Sequence, residues 1–176
     1  MAIFLTLLSI IAGIIFLLLI AALFIRKKHK AQREIIVNAP VQKVFDFVRL
    51  LKNQDQYNKW AKADPNMKVE YNGIDGHVGF TLSWNGNKDA GEGVKEIIGL
   101  VENERMESEL RFVRPMKIKS NTIITTHPVS TSKTKVTWIN SGSLPYPINL
   151  FVLLLEKKLP KDMDESLKKL KSILEN

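Results

Sequence analysis

The sequence predicts an α+β domain: a curved seven-stranded antiparallel sheet, with two short helices after strand 1, wrapped round a long C-terminal helix. A separate apolar helix precedes it. Three observations predict this. Residues 2–25 carry no charge. From Met67 through Gly142, apolar and polar side chains mostly alternate, which is the period of a strand. The tail "KDMDESLKKLKSILEN" puts Met163, Leu167, Leu170 and Leu174 on one helical face.

The first segment, "AIFLTLLSIIAGIIFLLLIAALFI", would form a helix about 36 Å long at 1.5 Å per residue. That length crosses a hydrocarbon core of about 30 Å with some tilt. A cleaved signal peptide wants its basic residues before the apolar run. Here "RKKHK" follows the run, so residues 1–25 read as a transmembrane helix. Lys and Arg stay on the cytoplasmic side. The expected topology is single-pass and N-out, with the remainder cytoplasmic. Arg26, Lys27, Lys28 and Lys30 would then face anionic headgroups, worth about 1 kcal/mol each. Residues 26–33 read as a basic juxtamembrane tether and residues 34–176 as the domain.

Within that domain "REIIVNA" reads as the first strand. Pro40 closes it and opens a helix: it forces Ala39 into an extended conformation and loses nothing at a first helical turn. Val41, Val44, Phe45 and Val48 follow at i, i+3, i+4 and i+7. A second short helix covers "NQDQYNKWAKA", with Asn53 as its cap and Tyr57, Trp60 and Ala61 on one side. Six strands follow: "MKVEY", "HVGFTLSW", "GEGVKEIIGLV", "RMESELRFV", "KIKSNTIITTHPV" and "KTKVTWINSG". His77 is expected to open a strand, and His127 to precede Pro128 at a turn. The apolar run "INLFVLLLEKKL" is expected to break at Pro160, before the amphipathic helix. A single helix cannot fill a strongly curved sheet, so a cavity is expected between the two.

Composition removes several functional classes. The 176 residues contain no cysteine, which excludes disulfides, a thiolate nucleophile and Cys-ligated zinc. The net charge of +8 is partly the juxtamembrane cluster. Elsewhere Lys and Glu are mixed, as in "ENERMESELR", so no basic face with interleaved aromatics points to nucleic acid. His29, His77 and His127 stand in no metal-ligand spacing. The Gly-rich stretches lack the Lys and following helix of a phosphate loop. No Ser sits in G-x-S-x-G. Neither a metal nor a cofactor is expected.

The ordered pieces "VNAPVQKVFDFV", "NKWAK", "GHVGFTLSWNG" with "GEG", "LRFVRP", "TKVTW" and "LPKDMDESLKKLKSILE" carry a resemblance. The domain resembles the START-like helix-grip (SRPBCC) superfamily, in its polyketide cyclase/dehydrase and lipid-transport branch. The resemblance implies a helix-grip fold that holds an apolar or amphipathic small molecule or lipid between sheet and long helix. It implies no particular reaction. The expected cavity residues are Trp60, Tyr71, Phe80, Leu82, Trp84, Phe112, Trp138, Met163 and Leu167. Aromatic side chains lead this group because they supply large apolar areas, and Tyr and Trp add a polar handle.

"INLFVLLL" is too short to span a membrane. It reads as a buried portal helix or as a lid touching the bilayer, with Leu150, Phe151 and Leu154 as lid residues. Glu92 and Glu96 share one strand face with Lys95 opposite, and Glu107 and Glu109 alternate with Ser108 and Leu110. Such charges usually line the solvent face of an antiparallel sheet. An inward Glu96 or Tyr71 would instead favour proton-transfer chemistry. The expected function is membrane-anchored binding or transfer of a hydrophobic molecule. A cyclase/dehydratase-type enzyme, or a protein-binding adaptor like a chaperone activator, are the alternatives, so a protein partner stays open.

Overall fold

The computed structural model describes residues 1–62 and 64–176 of the chain. A 23-residue helix α1 (Ala2–Phe24) is followed by β1 (Lys28–Val37), α2 (Val41–Val48), α3 (Leu51–Tyr57) and a 3₁₀ turn (Lys59–Lys62). Six strands come next: β2 (Lys68–Asn72), β3 (Thr81–Asn85), β4 (Glu92–Val101), β5 (Arg105–Arg114), β6 (Ile118–Ser130) and β7 (Lys133–Ser143). A second 3₁₀ turn (Ile148–Phe151) leads into α4 (Val152–Leu174). The seven strands form one antiparallel sheet in the order β1-β7-β6-β5-β4-β3-β2. This is the helix-grip fold.

The corner at Pro40 forms as its chemistry requires. Pro40 caps α2 with φ −60° and ψ 148°, and Val44, Phe45 and Val48 are fully buried beneath it. Sheet and helices close over one core that contains Val37, Ile97, Met106, Val136, Met163, Leu167 and Leu170.

Five expectations need correction. The tether is not a tether: β1 begins at Lys28, so residues 28–33 pair with β7 from Ser143 to Trp138. The charges misled because they alternate. Lys28 and Lys30 point outward, while His29 and Ala31 are buried. Second, α4 runs unbroken through Pro160. A proline inside a helix costs about 3 kcal/mol, but α4 is buried on both sides of it, at Val152 and at Met163, Leu167, Leu170 and Leu174. Packing therefore overrides local preference. Third, His77 lies in the loop before β3, where Gly73, Gly76 and Gly79 all take positive φ and interrupt the extended run. Fourth, His127 and Pro128 lie inside β6, beside a register shift between Pro128 and Ser130. A strand tolerates proline at such an irregularity.

Fifth, α3 starts at Leu51, and its cap comes from a distant loop rather than from Asn53. Leu51 N donates to Asp75 Oδ1 at 2.8 Å and Lys52 N to Asp75 Oδ2 at 3.1 Å. The same carboxylate accepts from Gly76 N at 2.9 Å, so it also holds the β2–β3 loop against the helix.

The end of α1 is locked to the domain. Asn149, fully buried, donates through Nδ2 to Ala22 O and Ile25 O, each at 2.7 Å. Arg26 pairs with Glu156 at 2.6 Å. The two Asn149 bonds satisfy carbonyls that a helix C-terminus otherwise leaves open.

The capping arrangement sets a stability test. Asp75→Ala is expected to lower unfolding free energy by about 1–2 kcal/mol, as for loss of a helix cap. Asp75→Asn, which keeps an acceptor, should lose less. Urea denaturation of the three proteins reads the difference.

Candidate functional site

A cavity of about 350 Å³ opens between the sheet and the N-terminal half of α4. This is the lower end of the usual range for small-molecule sites. Leu155 and Leu159 form its α4 wall, and Leu82, Trp84, Leu110, Phe112 and Trp138 line the sheet side. Trp60 and Ala61 close it from the turn after α3. Rings meet edge to face along this wall: Trp84 and Phe112 at 5.5 Å, Trp60 and Trp138 at 5.9 Å. Trp84 also donates from Nε1 to Ala90 O at 3.1 Å, which fixes its indole. Gly93 makes room for that indole, since a Cβ there would stand 2.6 Å from the Trp84 ring.

Trp60, Leu82, Trp84, Phe112 and Trp138 thus line the cavity. Four other expected residues do not. Phe80, Met163 and Leu167 are buried in the solid core. Tyr71 lies on β2, the sheet edge, and is 42% exposed. Its ring stacks on Phe80 at 6.1 Å and its hydroxyl donates to Asp55 at 3.1 Å. The lid residues fall elsewhere too. Phe151 and Leu154 are exposed and Leu150 is half-buried, while Leu155 and Leu159, one turn further on, meet the cavity.

The charged network on β4 and β5 stands outside the cavity. Arg111 binds Glu96 at 2.6 Å and Glu109 at 2.7 Å, all three half-buried on the other sheet face. Glu96 is therefore occupied by an arginine and does not point inward. Lys95, next to it, does. In β4 the buried positions are Gly93, Lys95 and Ile97, so strict alternation drives the lysine into the cavity. Its amine donates to Gln54 Oε1, and the Gln54 amide donates in turn to Val48 O at 3.1 Å. Gln54 is thereby oriented to meet the amine. Burial pulls the Lys95 amine down to about 8, although the Asp55 charge opposes it. Burial pushes the Asp55 carboxyl up, against the Tyr71 hydrogen bond. His29 also reaches the cavity, and burial lowers its pKa despite a hydrogen bond with Asn140. Among the described residues, no three His, Cys, Asp or Glu side chains cluster as metal ligands.

Lys95 makes folding pH-dependent. Its folded pKa is depressed from 10.5 to about 8, so the unfolded chain binds the extra proton between these values. Stability therefore rises with pH across that window, and the protonated amine is a cost below it. At about 1.4 kcal/mol per pH unit the cost reaches about 3 kcal/mol. Lys95→Met should be more stable than wild type at pH 7, with the difference shrinking toward pH 10.5. Thermal melts across that range check this.

A family described as polyketide cyclase / dehydrase and lipid transport matches residues 28–175. A comparison with curated protein sequences gives no match. Among solved structures the chain is similar to truncated norcoclaurine synthase from Thalictrum flavum, at TM-score 0.65 and 12% identity over 85% of this chain and 94% of that one. The same synthase in complex with dopamine and hydroxybenzaldehyde matches at TM-score 0.63 and 13% identity, over 86% of this chain and 89% of that one. A protein from Chromobacterium violaceum matches at TM-score 0.59 and 15% identity, over 84% and 98%. Identities this low speak for the fold alone. The family match runs from the first residue of β1 to the end of α4, and the chain belongs to the polyketide cyclase/dehydrase and lipid transport family.

Proposed function

We propose that the domain binds an apolar or amphipathic small molecule in the cavity between sheet and α4, and exchanges it with a bilayer crossed by α1. One observation carries this reading: the α4 wall of the cavity begins six residues after the residue that holds the end of α1. Asn149 holds the end of α1, and Leu155 and Leu159 face the hollow shortly after it. Helix α1 is long and apolar enough to cross a membrane. Between these contacts, Phe151, Leu153 and Leu154 stand exposed. They are the apolar face expected of a segment resting on lipid.

The basic surface supports the same placement. Arg26, Lys28, Lys30 and Lys119 line an outer groove of about 610 Å³ near the end of α1. In the proposed topology the N-terminus lies outside and the domain in the cytoplasm, with these cations toward anionic headgroups. Burial drives uptake. Apolar surface removed from water contributes about 25 cal/mol per Å², and much less when it leaves lipid. A carrier of this kind therefore depends more on an accessible mouth than on a tight site.

A second reading is favoured by one specific feature. Lys95 and Asp55 share the cavity, and burial moves their pKa values toward each other. Such a pair is suited to proton transfer on a bound substrate. No observation favours the adaptor reading.

The test uses the full chain in phosphatidylcholine/phosphatidylglycerol nanodiscs, with native mass spectrometry of the released protein. Wild type is expected to carry a bound amphiphile. Leu110→Trp, which narrows the cavity, should carry less. The double change Phe151→Ser with Leu154→Ser should reach the same occupancy several-fold more slowly. An empty wild type, or full occupancy in Leu110→Trp, would sink the reading.

A further inference from the structure

We propose that the cavity takes an amphiphile with a single anionic head, and that Lys95 is the counter-ion of that head. This deepens the binding reading above and rests on it. Lys95 is 7% exposed and points into a hollow lined by more apolar than polar residues, Trp84, Phe112, Leu155 and Leu159 among them. An ammonium carries three donors, and Gln54 Oε1 takes one. Gln54 brings no charge, and its amide nitrogen is committed to Val48 O at 3.1 Å. Among the described residues, no carboxylate lies within ion-pair distance of the Lys95 amine.

The other ionisable groups on the cavity do not fill that role. Asp55 accepts the Tyr71 hydroxyl at 3.1 Å and acts on Lys95 only through space. Asp89 is exposed on the turn before β4. Lys119 is exposed at the rim and drawn to Glu109 on the other sheet face at 3.3 Å. Burial lowers the His29 pKa and so disfavours its charged form. A buried cation without a charged partner is unfavourable, and an incoming anion removes that penalty with a charge-assisted hydrogen bond. The charge number follows from the same geometry. One buried ammonium balances one negative charge, as on a fatty-acid carboxylate. A doubly charged phosphate monoester would leave its second charge uncompensated in the same cavity as Asp55. The apolar tail then lies along Trp84 and Phe112 toward Leu155 and Leu159.

The experiment compares decanoate with decan-1-ol by titration calorimetry on the full chain in phosphatidylcholine nanodiscs, with empty nanodiscs subtracted. These probes share a tail and differ at the head. Wild type should bind decanoate at least tenfold more tightly than decan-1-ol. In Lys95→Met that ratio should fall to about one, and Lys95→Arg, which keeps the charge, should restore most of it. Equal affinity for both probes in wild type overturns the proposal, as does a preserved ratio in Lys95→Met. If decan-1-ol binds and decanoate gains nothing, the cavity reading stands and the counter-ion is wrong. If neither probe binds, the cavity reading itself fails.

Discussion

The structure depends on how one helix is divided between two tasks. At about 1.5 Å per residue, the 23 residues of α4 span about 34 Å. Its C-terminal half packs solidly on the sheet, with Met163, Leu167, Leu170 and Leu174 buried. Its N-terminal half stands over the open part of the sheet, and Leu155 and Leu159 face a hollow instead of a core. The C-terminal half holds the fold together. The N-terminal half leaves room for a guest.

The join to α1 gives that division a direction. The turn at Ile148–Phe151 is the point where the cavity helix and the apolar N-terminal helix come together. Asn149 is fully buried there and occupied by two carbonyls from the end of α1. Since β1 begins at Lys28, no flexible spacer separates helix from sheet. The domain is thus mounted directly on α1, and the hollow half of α4 is the half nearest to that helix.

Much of this was legible in the sequence. The switch from period 3.6 to period 2 at Met67, the Pro40 corner and the amphipathic tail together specify the fold, because each is a local consequence of side-chain geometry. The aromatic lining was partly legible: Trp84, Phe112 and Trp138 hold inward positions in their strands. Tyr71 was misplaced because β2 is the sheet edge, and edge position is a property of strand order rather than of one strand. Met163 and Leu167 were misplaced because a helical face does not reveal which half of it meets a void. Lys95 carried a readable signal. Once Glu92 and Glu96 face solvent, alternation sends Lys95 inward, and only its charge argued otherwise. The Asp75 cap had no signal, since it joins residues 24 positions apart.

The central claim is that the hollow holds a ligand, and all three tryptophans of the chain, Trp60, Trp84 and Trp138, line it. Tryptophan fluorescence therefore reports occupancy directly. The decisive measurement is a titration of the full chain in nanodiscs with 11-bromoundecanoate, against undecanoate as the non-quenching control. The account predicts saturable loss of emission with the brominated chain and none with the control. Quenching no greater than that by free bromide would contradict it.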